Sequence, residues 1–218
     1  KYSFSKSNVR LQINALELFS ADIFKKSIWF DFVSFHVSEE FFNQLLNIFD
    51  KDINLFYPNF RLDINKRKVS TRSDTNTNTN TNFVIDCQPG INTPNENLSS
   101  VRGPHVDNPV ELIGGLFYLK SKIDKSTGSD LHLFKTKNKI FFKGKAEVQN
   151  TSDLELFKKI TYDENKSIFF LNSLKSIHSV TKRSPSSLTR NLTNFVIENY
   201  NCNGYFKLPR KKNIFNII

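Results

Sequence analysis

Beyond residue 82 the chain alternates short apolar runs with clusters of Gly, Pro, Ser and Asn. The runs fall at 83–87, 112–119, 131–134, 139–142, 167–171, 177–180 and 192–197. Short apolar runs bounded by turn formers are the pattern of strands in an all-β sandwich or barrel, and no repeat period joins them. Residues 1–70 read as a mixed α/β support region. Ser38 followed by Glu39 and Glu40 supplies a capping hydroxyl and acids for a first helical turn. Phe41, Phe42, Leu45, Leu46 and Phe49 then recur on one helical face, a stripe that must be buried against a sheet. Between the two regions, 74–82 alternates Asn and Thr and has nothing apolar to bury; it reads as a surface loop and not as a linker between independent domains. The expectation is one domain over 1–218: a support region at 1–70, a β-core at 83–198 and a basic tail at 199–218.

The chemistry-bearing residues are His105-Val106-Asp107, then His178, then Arg190. On a strand, residues two apart project from the same face, so His105 and Asp107 would share a side and a second His from a distant strand could join them. Two neutral imidazoles and one carboxylate, with open positions opposite, suit non-haem Fe(II). Arg190 follows His178 after the turn-rich 183–187, so a strand, a loop and a return strand would set it beside His178 on the inner face. Leu188, Leu192 and Val196 share its parity, while Phe195 and Ile197 are expected to face the other sheet. A buried Arg needs an anion. Among the other candidates, His132 reads as a surface or substrate-side contact and His36 as structural. Arg183 reads as a solvated charge in a Ser/Pro loop. Arg102, just before the triplet, either reaches substrate or caps the loop.

The context of the triplet is Arg102-Gly103-Pro104-His105-Val106-Asp107-Asn108-Pro109, then the apolar 112–119 ending in Tyr118-Leu119, then Gly128-Ser129-Asp130-Leu131. Taken in order over about 83–198, this set resembles the prolyl-4-hydroxylase-like branch of the Fe(II)/2-oxoglutarate-dependent oxygenases, especially short microbial and viral members. Gly128-Ser129-Asp130-Leu131 stands where that family often has a Gly-Gly-x-Leu turn. The resemblance implies a mainly β (α+β) fold, a double-stranded β-helix or jelly roll with N-terminal helices packed on one sheet. It implies Fe(II) held by His105, Asp107 and His178, and 2-oxoglutarate gripped at its distal carboxylate by Arg190. Dioxygen is the third reactant, ascorbate is an accessory the family admits, and Arg102 is a candidate substrate contact. The implied reaction is hydroxylation of a peptidyl proline, an amino acid or another small molecule, with succinate and CO2 as co-products. Asp107 retains the carboxylate ligand, which favours hydroxylation over halogenation. A nucleic-acid demethylase of the AlkB type would carry Arg-x-Asn-x-Thr-x-Arg, but Arg190-Asn191-Leu192-Thr193-Asn194-Phe195-Val196 ends in Val. A cupin-like non-oxidative metal protein would offer more His ligands and Gly-rich strand motifs. The loops expected to shape the pocket (the N-terminal segment, the Asn/Thr stretch and 121–127) carry no readable substrate code.

Composition narrows the partners. The 218 residues and 25.3 kDa allow one full core, rich in Phe, of which there are 22. No run of about eighteen apolar residues occurs, so no membrane-spanning helix is expected. The net charge of +10 would suit an anionic partner. The basic residues are dispersed, however, and only Arg210-Lys211-Lys212 is clustered, so nucleic acid is not the favoured partner. Cys87 and Cys202 fit no metal or disulfide spacing and read as reduced thiols, which suggests a cytoplasmic location. The chain has no Met and reads as a fragment lacking its initiator; no signal peptide is visible.

Overall fold

The computed structural model describes residues 8–57, 69–71, 83–199 and 203–211. In chain order these form β1 (Arg10–Gln12), α1 (Ala15–Ser20), α2 (Ile28–His36), α3 (Glu39–Phe56), β2 (Val69–Thr71), β3 (Phe83–Asn92) and β4 (Glu111–Tyr118). There follow β5 (Leu131–Thr136), β6 (Phe142–Lys143), β7 (Glu147–Val148), β8 (Leu154–Ile160), β9 (Lys166–Leu171), β10 (His178–Val180) and β11 (Arg190–Asn199). The fold is mostly β. The large sheet runs β1-β3-β11-β4-β9, its neighbours antiparallel, with β2 added parallel to β3. A smaller antiparallel sheet runs β10-β5-β8, and β6 pairs with β7 as a separate hairpin. The Asn/Thr stretch expected as a surface loop lies outside the described residues.

The large sheet is two-sided because its strands alternate. On one face Phe83, Ile85, Ile113, Leu171 and Ile197 meet Phe41, Phe42, Leu45, Leu46 and Ile53 of α3. Beside them Cys87 and Phe195 meet Ala15 of α1, Leu18 of α1 and Val33 of α2. Ser38 caps α3 as its sequence indicated, its hydroxyl accepting from the Phe41 N–H at 3.2 Å. On the opposite face Leu116, Tyr118 and Leu192 pack against Leu131 and, through partly buried neighbours, Leu133 and Ile160 of the smaller sheet. The parity expected for β11 therefore holds, but Phe195 and Ile197 face the helices and not the other sheet. The helical Phe/Leu stripes need an apolar partner, and the three-stranded sheet covers only the other side.

Several stretches differ from the sequence expectation, three of them in the strands themselves. The run at 139–142 becomes a strand only at its end, in β6. The edge strand β8 was not anticipated, because Leu156 and Phe157 are half or more exposed and mark no buried face. β3 was expected to stop at Cys87, before Pro89, yet it continues to Asn92. Pro89 lacks a donor but its carbonyl still accepts from the Ile13 N–H at 3.0 Å. Gly90 lets β1 lie alongside, since a Cβ there would stand 2.7 Å from the Leu11 carbonyl oxygen. Residues at the start of the basic tail are also bound to the β-core: Phe206 and Leu208 pack on the cluster around Val106 and Phe142.

His36 lies in the helix–sheet layer, as a structural histidine should. Its ring stands 4.1 Å from that of Phe32, 4.7 Å from Phe41 and 5.1 Å from Phe195, measured between centroids. Burial lowers its pKa, against the opposing pull of the Phe32 carbonyl bonded to Nδ1. The folded state thus disfavours the imidazolium, while the unfolded chain accepts a proton near pH 6.5. The resulting stability is present in full above that pH and is lost as pH falls toward the folded value. Thermal midpoints measured from pH 7 to pH 5 should fall for the parent, and fall less steeply for His36→Leu. Parallel curves would show that His36 is not the group responsible.

Candidate metal centre

His105 was expected on a strand. It lies instead in an extended segment held by isolated bridges to His178 and Glu147, with Pro104 and Pro109 on either side. Neither proline has an N–H to donate, so no continuous ladder forms. The segment is stitched at points: His105 and His178 exchange backbone N–H···O bonds of 2.9 Å each, and the Val106 N–H reaches the Ala146 carbonyl at 3.2 Å. Because the backbone is extended, His105 and Asp107 still project together, and the reciprocal pairing brings in His178 from the start of β10. His105 Nε2 is 3.7 Å from Asp107 Oδ1, and His178 Nε2 is 3.7 Å from Asp107 Oδ2. One donor atom from each of the three lies within 4.8 Å of the others. Such spacing exceeds a hydrogen bond and leaves room for an ion among the three.

Both imidazoles are oriented in the same way. Nδ1 of His105 faces the Gly103 carbonyl at 2.7 Å, and Nδ1 of His178 faces the Ser176 carbonyl at 2.9 Å. A carbonyl only accepts, so each Nδ1 carries the proton and each Nε2 presents a lone pair toward Asp107. Burial, then the neighbouring His178 and Arg102, push the His105 pKa down to about 3. His105 is therefore neutral at physiological pH, the form that ligates metals. Gly114 on β4 makes space behind this group: a Cβ there would lie 2.8 Å from the Phe170 ring and 3.2 Å from Asp107 Oδ2. Phe170 in turn stands 4.9 Å from the His178 ring.

Arg190 opens β11 and is 2 % exposed. Its Nη1 donates to Asn92 Oδ1 at 3.0 Å and its Nη2 to the Ser129 carbonyl at 3.3 Å. The guanidinium is flanked by the rings of Tyr118 and Tyr162, at 5.0 and 4.9 Å. No carboxylate among the described residues forms an ion pair with it. The Tyr118 hydroxyl interacts with the guanidinium, while Asn92 Nδ2 and Ser129 Oγ are buried without a hydrogen-bond partner among the described residues. Arg183, expected to be solvated, is fully buried. It binds Asp124 Oδ2 at 2.9 Å, Ser126 Oγ at 3.0 Å and the Leu188 carbonyl at 2.9 Å. The 121–127 loop thus does not rim the pocket but neutralises Arg183, so one buried arginine is satisfied internally and the other is not.

His105, Asp107, His178 and Arg190 line one cavity of about 290 Å³. Arg102 lines it too, while its Nη2 donates to the Lys145 carbonyl at 2.5 Å, so it caps a loop and borders the cavity at once. His132 does not line it; on β5 it pairs with Ser179. Two further residues on the wall, Arg10 and Gln12 of β1, were assigned no role from sequence. The alternation Val9-Arg10-Leu11-Gln12-Ile13 is the period-two signal that marks them as one face of a short strand. Asn92, Tyr118 and Ser129 were likewise not anticipated as neighbours of Arg190.

The fold and the site together define a mainly β protein with a candidate His/Asp/His metal centre beside a buried, uncompensated arginine. No family model matches the chain, and no curated protein matches it. Among solved structures it is similar to a prolyl 4-hydroxylase from Phytophthora capsici, with 12 % identity and a TM-score of 0.45. The match covers 88 % of this chain and 49 % of the other, so the chain spans about half the length of that protein. Functional interpretation accordingly rests on the site itself.

Gly114→Ala should displace the Phe170 ring or the Asp107 carboxylate. Since groups that orient metal ligands are worth about 10–100-fold in affinity, titration with Mn(II) should show a loss in that range. Unchanged affinity would mean that the space at Gly114 serves only packing.

Proposed function

We propose that this chain is an Fe(II)- and 2-oxoglutarate-dependent oxygenase of the prolyl-4-hydroxylase-like class, a single domain on a double-stranded β-helix that hydroxylates a small-molecule or peptide substrate. One observation carries the reading: a two-imidazole, one-carboxylate donor set shares a cavity with a buried arginine that no carboxylate among the described residues neutralises. The donor chemistry fits Fe(II), with lone pairs already aimed at a common point and open positions on the cavity side. The buried guanidinium and the unpartnered Ser129 Oγ beside it fit the distal carboxylate of 2-oxoglutarate, which a guanidinium can grip with paired, charge-assisted bonds.

In this reading His105, Asp107 and His178 hold the metal. Their backbone pairing and the two Nδ1–H···O=C bonds fix the imidazoles before any ligand arrives. Arg190, oriented by Asn92 Oδ1 and joined by Tyr118 and Ser129, binds and orients the cosubstrate, and the flanking tyrosine rings keep water from the guanidinium. When bound, Fe(II) with 2-oxoglutarate and O2 supplies oxidative decarboxylation to succinate and CO2, coupled to hydroxylation of the substrate. Asp107 occupies the position whose carboxylate favours hydroxylation. Arg102, at the cavity wall, is a candidate substrate contact. Cys87 is a free, buried thiol, in keeping with a reducing, cytoplasmic setting. Among the described residues no helix is long and apolar enough to cross a membrane.

The direct test is turnover. Purified chain supplied with Fe(II), O2 and 2-oxoglutarate should release succinate slowly even without substrate; a cupin-like non-oxidative protein would release none. Asp107→Ala should lose Fe(II) affinity by on the order of 100-fold or more while keeping its far-ultraviolet circular dichroism. Iron binding equal to the parent's would end the proposal.

The two arginines separate cosubstrate binding from stability. Losing a desolvated charge-assisted contact costs about 2–4 kcal/mol, so Arg190→Ala should raise the 2-oxoglutarate requirement tens- to hundreds-fold. Arg183→Ala strands a buried carboxylate and should lower folding stability by about 3–5 kcal/mol, with the 2-oxoglutarate requirement of the folded fraction unchanged. The opposite pattern in denaturant melts and saturation curves would assign the cosubstrate to Arg183.

A further inference from the structure

Arg10, Asn92 and Arg190 form one row across the large sheet. In register, Arg10 of β1 lies opposite Asn92 of β3, which lies opposite Arg190 of β11. Residues so paired point to the same face, and with strands about 4.8 Å apart the two arginine backbones are separated by about 10 Å. Asn92 gives its oxygen to Arg190, whereas its Nδ2 is fully buried and has no partner among the described residues. The Arg10 guanidinium has neither a hydrogen bond nor an ion pair from any described residue. Burial, followed by the like charge of Arg190, pushes its pKa down to about 10, with Tyr118 and Asp107 opposing from a distance, so the cation stands without a direct partner among the described residues.

The surroundings of Arg10 differ from those of Arg190. Arg190 is enclosed by Tyr118, Tyr162 and Ser129, while Arg10 stands on the outermost strand, next to a chain of amides. Gln12 Nε2 and Asn194 Nδ2 both donate to Gln88 Oε1, at 2.7 and 3.1 Å, and Gln88 Nε2 is tied to Asp86. The field of Asp107 reaches Arg10, so Arg10 faces the same space as the metal donors. Two carboxylates, Asp107 and Glu111, border a cavity that carries three arginines. A divalent ion and a dianionic cosubstrate cancel, which leaves the walls cationic for whatever binds third.

We infer that Arg10 is a substrate-recognition residue and that the substrate carries a carboxylate or phosphate group, bound by Arg10 and the Asn92 amide beside the metal donors. The inference rests on the oxygenase reading above and adds a substrate class to it. Arg190 takes the cosubstrate carboxylate at the enclosed end of the row; Arg10 takes the substrate anion at the open end. Gln12 and Asn194, fixed through Gln88, offer neutral hydrogen-bonding groups alongside.

The test uses the full chain loaded with Mn(II), which binds like Fe(II) without turnover, and saturated with 2-oxoglutarate. Calorimetric titration with benzoate and with phenyl phosphate supplies one probe for each anion. Saturable binding of at least one is expected, and the tighter of the two identifies the group recognised. Arg10→Gln should weaken that binding tenfold or more while leaving Mn(II) and 2-oxoglutarate affinities within about twofold, and Arg10→Lys should restore part of it. Equal anion binding by parent and Arg10→Gln, or no saturable binding of either probe by the parent, overturns the inference. If Arg10→Gln raises the 2-oxoglutarate requirement instead, Arg10 belongs to the cosubstrate, and the substrate assignment falls while the oxygenase reading stands. Failure of the parent to bind Mn(II) or 2-oxoglutarate removes that reading, and this inference with it.

Discussion

The two-faced alternation of β3, β11 and β4 is the constraint on which the molecule depends. On these strands Phe83, Ile85, Cys87, Ile113, Phe195 and Ile197 are claimed by the helices. The intervening positions are released from that duty, and they are where Gln88, Asn92, Arg190 and Asn194 stand. A one-residue slip in register would exchange the two sets, placing Arg190 among phenylalanines. The Phe-rich layer under α1, α2 and α3 therefore does more than contribute buried area; it pins the register that aims the polar face at the cavity.

Arg190 and Arg183 show how a folded chain can treat two buried cations in opposite ways. Arg183 is surrounded by a carboxylate, hydroxyls and a carbonyl, and its site is complete without a ligand. Around Arg190 the hydrogen-bond inventory is left short at Asn92 Nδ2 and Ser129 Oγ among the described residues. Unsatisfied buried groups cost about 1–3 kcal/mol each, so the fold holds a strained polar end that a suitable anion would relieve. Preorganisation of this kind moves ordering costs from the binding step into the folding step.

The parts of this arrangement visible in the amino-acid order are those with local causes. The α3 cap at Ser38 and the Phe/Leu stripe behind it depend on neighbours three and four residues away, and both appear as expected. The strands whose apolar positions are buried, β4, β9 and β11 among them, announce themselves by composition. β8 does not, because its apolar side chains face solvent on an edge. Arg183 was misjudged because its partner Asp124 is distant in sequence and joins it only after folding. Arg10 was missed for a related reason: its position depends on the close approach that Gly90 permits, eighty residues on. The triplet His105-Val106-Asp107 projected its side chains as a strand would, although the prolines around it prevent a strand from forming.

That reciprocal pairing of His105 with His178 has a mechanical meaning as well. The segment carrying His105 and Asp107 is joined to β10 by two backbone bonds and to the β6–β7 hairpin by a few scattered ones, with isolated bridges in place of a ladder. An ion bound by all three side chains would add a second link directly above the first, crossing from the loop to the smaller sheet. The centre would then act as a rivet, and the loop's resistance to being peeled from the sheet would depend on whether the rivet is in place. In such a design the same three side chains set both how chemistry is presented at the cavity and how firmly its wall is fastened.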